Sequence, residues 1–143
     1  MPTLVDTNIL LRSLQPEHPH YPIAQNAIAT LRRTDTLCIA AQNLVEFWAV
    51  ATRPSTENGL GMTHAGAAAE IQKLRQFFGL LPPSLGVFDT WQRMVLDHGV
   101  TGKQTHDAHL AATMRFYSVD AILTFKVRDF GRYGITVIDP SKA

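Results

Sequence analysis

The sequence predicts an α/β fold of three layers, an α/β/α sandwich with a mostly parallel central sheet, on three observations. Short apolar segments at 3–5, 36–40, 121–124 and 135–138 alternate with stretches of helical periodicity, the order expected of parallel strands joined by helical crossovers. The strand segments carry few polar alternations, which fits burial on both faces. The 143 residues contain no internal repeat, low-complexity tract or linker that would split them, so a single domain over 1–143 is expected.

Taken in order, the strand at 3–5 runs into Asp6-Thr7-Asn8 and a short helix over 9–14, ended by the turn-forming Gln15-Pro16-Glu17-His18-Pro19-His20. A second helix spans 21–33, with Pro22 accommodated in its first turn. The strand at 36–40 leads into a helix over 41–52 that stops before Pro54. Residues 54–61 form a loop of turn formers and the expected centre of mobility. Thr63 caps a helix reaching Phe78, which Gly79 and Pro82-Pro83 terminate. A short strand is expected at Leu85–Val87, then a helix over 89–98, a flexible connection at 99–103 and a helix over 104–117. After the strand at 121–124 come a helical turn at 127–132 and a last strand stopped by Asp139-Pro140.

Thirteen Lys and Arg against 12 Asp and Glu give a formal net charge of +1, which leaves no global electrostatic footprint for nucleic acid or membrane. Any nucleic-acid contact must then be local. Cys38 is the only cysteine, excluding an intrachain disulfide and a multi-thiolate zinc cluster within one chain, and a reducing, cytoplasmic setting is expected. No apolar run approaches the ~18 residues of a membrane span, and Asp6 interrupts any signal-like segment at the start.

In open α/β sheets ligands gather at the carboxyl ends of the strands, which directs attention to four carboxylates. Asp6 ends the first strand, but Asp, Thr and Asn are also the residues that cap helices, and capping is the commoner role. Glu46 projects with Gln42, Ala49 and Arg53 on the side of its helix opposite Leu44, Val45, Phe47 and Trp48, which reads as a solvated face. Asp107 falls in the first turn of its helix, where the dipole favours a carboxylate by about 0.3–1 kcal/mol. Asp129 follows the fourth strand segment and alone is an ordinary turn carboxylate. His106 and His109 share a face, but no third zinc ligand has suitable spacing. Convergence of these carboxylates would make a hard-oxygen ligand set suited to Mg²⁺ or Mn²⁺.

Val5-Asp6-Thr7-Asn8, Glu46 in the helix after the second strand, Gly102 with His106-Asp107-Ala108, Leu123-Thr124-Phe125 with Asp129-Phe130, and Val137-Ile138-Asp139-Pro140 together resemble the PIN-domain ribonucleases. They look most like the VapC toxins of bacterial toxin–antitoxin pairs, over residues 4 to 140. The resemblance implies a PIN-like α/β/α nuclease in which Asp6, Glu46 and Asp107 hold Mg²⁺ or Mn²⁺, with Asn8 and Thr124 supporting the carboxylates through hydrogen bonds. It further implies cleavage of single-stranded RNA, a small antitoxin partner and a homodimer. One position departs from the family pattern. Lys126 stands where a fourth polar ligand is usual, so either Asp129 supplies the missing carboxylate or the site works with three acids and an ammonium at its rim. Lys103, Lys126, Arg128 and Arg132 are candidate RNA contacts and read equally as ordinary surface charge.

Three other readings stay open. They are a PIN nuclease of RNA processing or DNA repair without an antitoxin, a weakened PIN fold acting only as a binding module, and an HD-type phosphohydrolase suggested by His106-Asp107. The alternating strands argue against the last, because that class is all-helical.

Overall fold

A computed structural model describes residues 1–143. The elements are β1 (Pro2–Val5), α1 (Thr7–Arg12), α2 (Tyr21–Leu31), β2 (Thr36–Ala40), α3 (Ala41–Thr52), α4 (His64–Phe77), β3 (Gly79–Leu81), α5 (Leu85–His98), α6 (Gln104–Phe116), β4 (Ala121–Leu123) and β5 (Thr136–Ile138), with short 3-10 turns at Ser55–Glu57, Gly131–Tyr133 and Pro140–Lys142. The five strands form one sheet in the order β3-β2-β1-β4-β5, and every pairing is parallel.

Strand residues alternate between the two faces, as a period of two demands. Val5, Leu37, Ile39 and Leu123 join a core with Ile9, Leu10, Ala24, Phe47 and Leu74 from α1 to α4. Leu4, Cys38, Ala40 and Ile122 join the opposite core with Met94, Ala108, Leu110 and Met114 from α5 and α6. Both faces are therefore covered, and the predicted three layers are present.

The chain lays β2 and β3 on one side of β1, then crosses to place β4 and β5 on the other. The order reverses at β1, so the crevice beyond the carboxyl ends of β1 and β4 is a topological switch point, the usual seat of ligands in open α/β sheets. Asp6 and Thr124 are the residues that directly follow those two strands.

Four expectations are corrected. Residues 85–87 are the start of α5, not a strand: Ser84 accepts a hydrogen bond from Val87 N–H at 3.2 Å and caps the helix. The third strand is instead Gly79–Leu81, pairing Cys38 with Gly79 and Ala40 with Leu81; Pro82 and Pro83 follow and have no N–H with which to extend it. The first helix begins at Thr7 rather than Ile9, so Asp6 directly abuts it. Residues 127–132 form an irregular turn with a 3-10 segment at Gly131–Tyr133 in place of a helical turn.

The loop expected to be most mobile is tied to the end of α3. Leu60 N–H donates to Val50 C=O, Gly61 N–H to Arg53 C=O and Met62 N–H to Ala51 C=O at 2.8–3.0 Å. A Cβ on Gly59 would lie 1.9 Å from the Arg53 carbonyl oxygen, a backbone atom that cannot step aside. Gly59→Ala is accordingly expected to lose about 1–3 kcal/mol of stability in urea denaturation; an unchanged midpoint would show that the loop opens at no cost.

Candidate active site

Asp6 is both a cap and a buried acid. Its backbone is extended (φ −72°, ψ 157°), and its Oδ1 accepts a 2.8 Å hydrogen bond from Thr7 N–H. Its Oδ2 accepts one from the Thr124 hydroxyl at 2.8 Å and one from Asn8 Nδ2 at 3.3 Å. Asn8 Nδ2 also reaches Thr124 Oγ1 at 3.2 Å, while Asn8 Oδ1 accepts from Phe125 N–H at 3.1 Å. Asn8 and Thr124 thus clamp the end of β1 to the end of β4 and leave the carboxylate little freedom. The residue is 3% exposed. That burial raises its pKa against the opposing effects of the Thr124 hydrogen bond, the Lys126 charge and Thr7 N–H, with the charge of Glu46 adding to the rise.

Glu46 is held by a relay from two other elements. The Thr7 hydroxyl donates to Glu46 Oε1 at 2.7 Å. Thr7 Oγ1 in turn accepts from Asn43 Nδ2 at 3.0 Å, and Asn43 Oδ1 accepts from Ala40 N–H at 2.8 Å. On its other side, Gln42 Nε2 donates to Glu46 Oε2 at 3.1 Å and to the His106 carbonyl at 2.8 Å. Gln42 Oε1 lies 2.6 Å from His109 Nδ1; since the Gln42 amide nitrogen faces two acceptors, the network assigns the imidazole proton to Nδ1. Burial and then the neighbouring His106 lower the His109 pKa, against a smaller pull from Glu46, so this ring is a neutral strut between α6 and α3 rather than half of a zinc pair.

Asp107 sits in the first turn of α6 as expected. Lys126 Nζ donates to its Oδ1 at 2.8 Å and stands 4.0 Å from Asp129 Oδ2. Burial of the Lys126 stem disfavours its charge, but the hydrogen bond and charge of Asp107, with the charges of Asp6 and Asp129, outweigh it and raise the pKa. Glu46, Asp107 and Asp129 share the wall of a cavity of about 460 Å³ with Lys103, Lys126, Arg128 and Arg132, and no apolar residue lines it. Asp6 lies beneath that wall rather than in it. As arranged, no three carboxylate or imidazole groups are close enough together to hold a metal ion; the cation in contact with the acids is the Lys126 ammonium. Asp129 is about half exposed, on the outer side of the pocket.

Thr7, Gln42 and Asn43 were not singled out in the sequence. Each stands near a helix start, where polar residues pass as caps. Thr7 reaches Glu46 from α1, and Asn43 acts through Thr7 and Ala40 on other elements, whereas Gln42 donates to Glu46 from one turn away on α3 and is tied to His106 and His109 on α6.

A parallel sheet covered on both faces, with acids held at its switch point and a basic rim, defines an α/β fold with a polar, charge-lined pocket at the carboxyl edge. The PIN domain family model matches residues 3–134, and the chain belongs to that family. No curated protein matches it. Among solved structures it is similar to VapBC-1 of nontypeable Haemophilus influenzae, with a TM-score of 0.70, 17% identity and coverage of 99% of both chains. It is also similar to VapC20 of Mycobacterium tuberculosis, a Sarcin-Ricin loop cleaving toxin, with a TM-score of 0.71, 15% identity and coverage of 91% of this chain and 94% of that one. VapBC2 of Rickettsia felis, bound to a DNA fragment from its promoter, has a TM-score of 0.68, 14% identity and coverage of 96% and 98%. At such identities the likeness carries the fold.

Proposed function

We propose that this chain is an endoribonuclease that cleaves single-stranded RNA with Mg²⁺ or Mn²⁺, and that it is the toxin of a toxin–antitoxin pair. The observation that supports the reading is the grouping of acids from separate elements near the switch point: Glu46 and Asp107 line one pocket, and Asp6 is tied to Glu46 through Thr7, whose N–H donates to Asp6 and whose hydroxyl donates to Glu46. As hard oxygen donors they suit either ion, and Asp6, whose buried carboxylate has its ionised form penalised, is the kind of group a divalent cation would relieve. The chemistry of the donor set therefore fits, with Asp6, Glu46 and Asp107 as the ligands that would have to draw together around the ion, since as arranged no three acids share a metal position.

A divalent ion bound there supplies charge stabilisation for the phosphoryl oxygens and acidifies the attacking water. The chain's own groups do the rest. Asn8 and Thr124 hold Asp6, Thr7 and Gln42 hold Glu46, and the rim places the phosphodiester. With the net charge near zero, that placement falls to Lys103, Arg128 and Arg132 around the cavity. The similar VapBC structures support an antitoxin partner; a homodimer and action in the cytoplasm belong to the same proposal, and no helix is long and apolar enough to cross a membrane. A nuclease of RNA processing or DNA repair would share the chemistry and lack the antitoxin, so the presence of a small open reading frame directly upstream distinguishes the two.

The test is cleavage of a labelled single-stranded RNA with Mg²⁺, with Mn²⁺ and with chelator. Product that appears only with the ions is expected. The Lys126–Asp107 pair favours one further reading, a PIN fold kept as a binding module; RNA binding without cleavage, and without heat on titrating metal, would select it. If Lys103, Arg128 and Arg132 each neutralise a phosphate, changing all three to Gln should reduce the slope of log K against log salt for a single strand by about 2. An unchanged slope would make them ordinary surface charge.

A further inference from the structure

We propose that Lys126 is a tethered competitor for the divalent ion: its ammonium fills the cation position beside Asp107 and Asp129, and loading the metal requires the side chain to swing out. The proposal rests on the metal-nuclease reading above and concerns how that site is filled. Its ground is geometric. Lys126 is the only cation of the pocket in a salt bridge with its acids, 2.8 Å from Asp107 and 4.0 Å from Asp129, whereas Lys103, Arg128 and Arg132 make none. As the acids are arranged around it, no three are close enough together to share a metal.

The residue is built to release. Its backbone N–H is anchored on Thr124 Oγ1 at 3.0 Å, so the end of β4 stays fixed while the side chain turns. Lys126 is 45% exposed against 19% for Asp107, and its long stem can move into solvent without repacking the core. A strongly hydrated point charge on a flexible chain is easier to displace than a forked guanidinium would be. The consequence for the metal-free protein is stability, because the ammonium offsets the mutual repulsion of Asp6, Glu46, Asp107 and Asp129. The consequence for activity is a threshold. The ion has to outcompete a charge already in position, so metal affinity is set by Lys126 as well as by the ligands.

Two measurements test this. In the wild-type protein, acylation of lysines by a water-soluble N-hydroxysuccinimide ester is followed by peptide mass spectrometry, with Lys142 as the exposed reference. Labelling of Lys126 should rise severalfold on saturation with Mn²⁺ while Lys142 is unchanged. In calorimetric titration, Lys126→Met should bind Mn²⁺ about tenfold more tightly than the wild type, since the competing charge is gone. Unchanged or reduced labelling of Lys126 in a wild-type protein that binds Mn²⁺ overturns the proposal and leaves the nuclease reading standing, as does a folded Lys126→Met with wild-type affinity. Absence of Mn²⁺ binding by both proteins overturns the metal reading and the proposal with it. The labelling arm needs no variant and decides the matter even where Lys126→Met fails to fold.

Discussion

Asp6→Asn is expected to lower RNA cleavage by about 100-fold or more, the loss that follows from removing a ligand whose ion contributes several kcal/mol to the transition state. The substitution keeps the shape of the side chain, and its Oδ1 still accepts from Thr7 N–H, so the cap on α1 survives. Asp107→Asn is expected to give a similar loss, with Lys126 released from its ion pair. Stability should move the other way with pH. Burial raises the Asp6 pKa above 3.8, and Glu46 adds to it against Thr124, Lys126 and Thr7. A carboxyl whose folded pKa exceeds its unfolded one stabilises the fold fully below the unfolded value and loses that contribution as pH rises through the folded value. In metal-free protein the melting temperature of Asp6→Asn relative to wild type should therefore increase as pH rises from acid toward neutral. Added Mg²⁺ should stabilise the wild type and leave the variant unchanged. A folded Asp6→Asn with full cleavage would remove Asp6 from the site.

The parts of this site that were legible in the sequence are those whose position follows from local pattern. Asp6 and Asp107 stand at a strand end and in a first helical turn, and a parallel sheet brings such junctions to one edge. Glu46 was not legible by projection, because a helical wheel separates core from solvent, and the pocket lies at the edge of the sheet, where neither label applies. The hydroxyl of Thr7, 39 residues before Glu46, makes the difference. The Lys126–Asp107 pair spans 19 residues and two elements, so its contact is visible only once the fold is built. β3 escaped for another reason. Three residues are too short to show alternation, and Leu85–Val87, likewise one glycine and two apolar residues, offered an equally apolar but wrong substitute. The mostly parallel sheet was legible, since its strands are apolar on both faces and separated by helices, and the structure makes every pairing parallel.

Asn43→Ala should be the most damaging substitution that touches no proposed ligand. Asn43 is fully buried, and its side chain satisfies the backbone N–H of Ala40 while donating to Thr7. Truncation leaves the Ala40 N–H buried without an acceptor, which costs about 1–3 kcal/mol, and adds a small cavity and a lost side-chain hydrogen bond. A total near 3 kcal/mol is expected in denaturant titration. Cleavage at saturating Mg²⁺ should also fall, by about 10- to 100-fold as for other groups that orient a metal ligand, because Thr7 then no longer has a fixed direction in which to donate to Glu46. Thr7→Val cuts the same relay one step later, leaving Glu46 Oε1 without its 2.7 Å donor. If Asn43, Thr7 and Glu46 act as one unit, the double variant should be little worse in cleavage than either single one, with a coupling of about 0.5–3 kcal/mol between them. Simple additivity would mean that Asn43 only supports the fold, and that the carboxylate of Glu46 is placed by α3 and Gln42 alone.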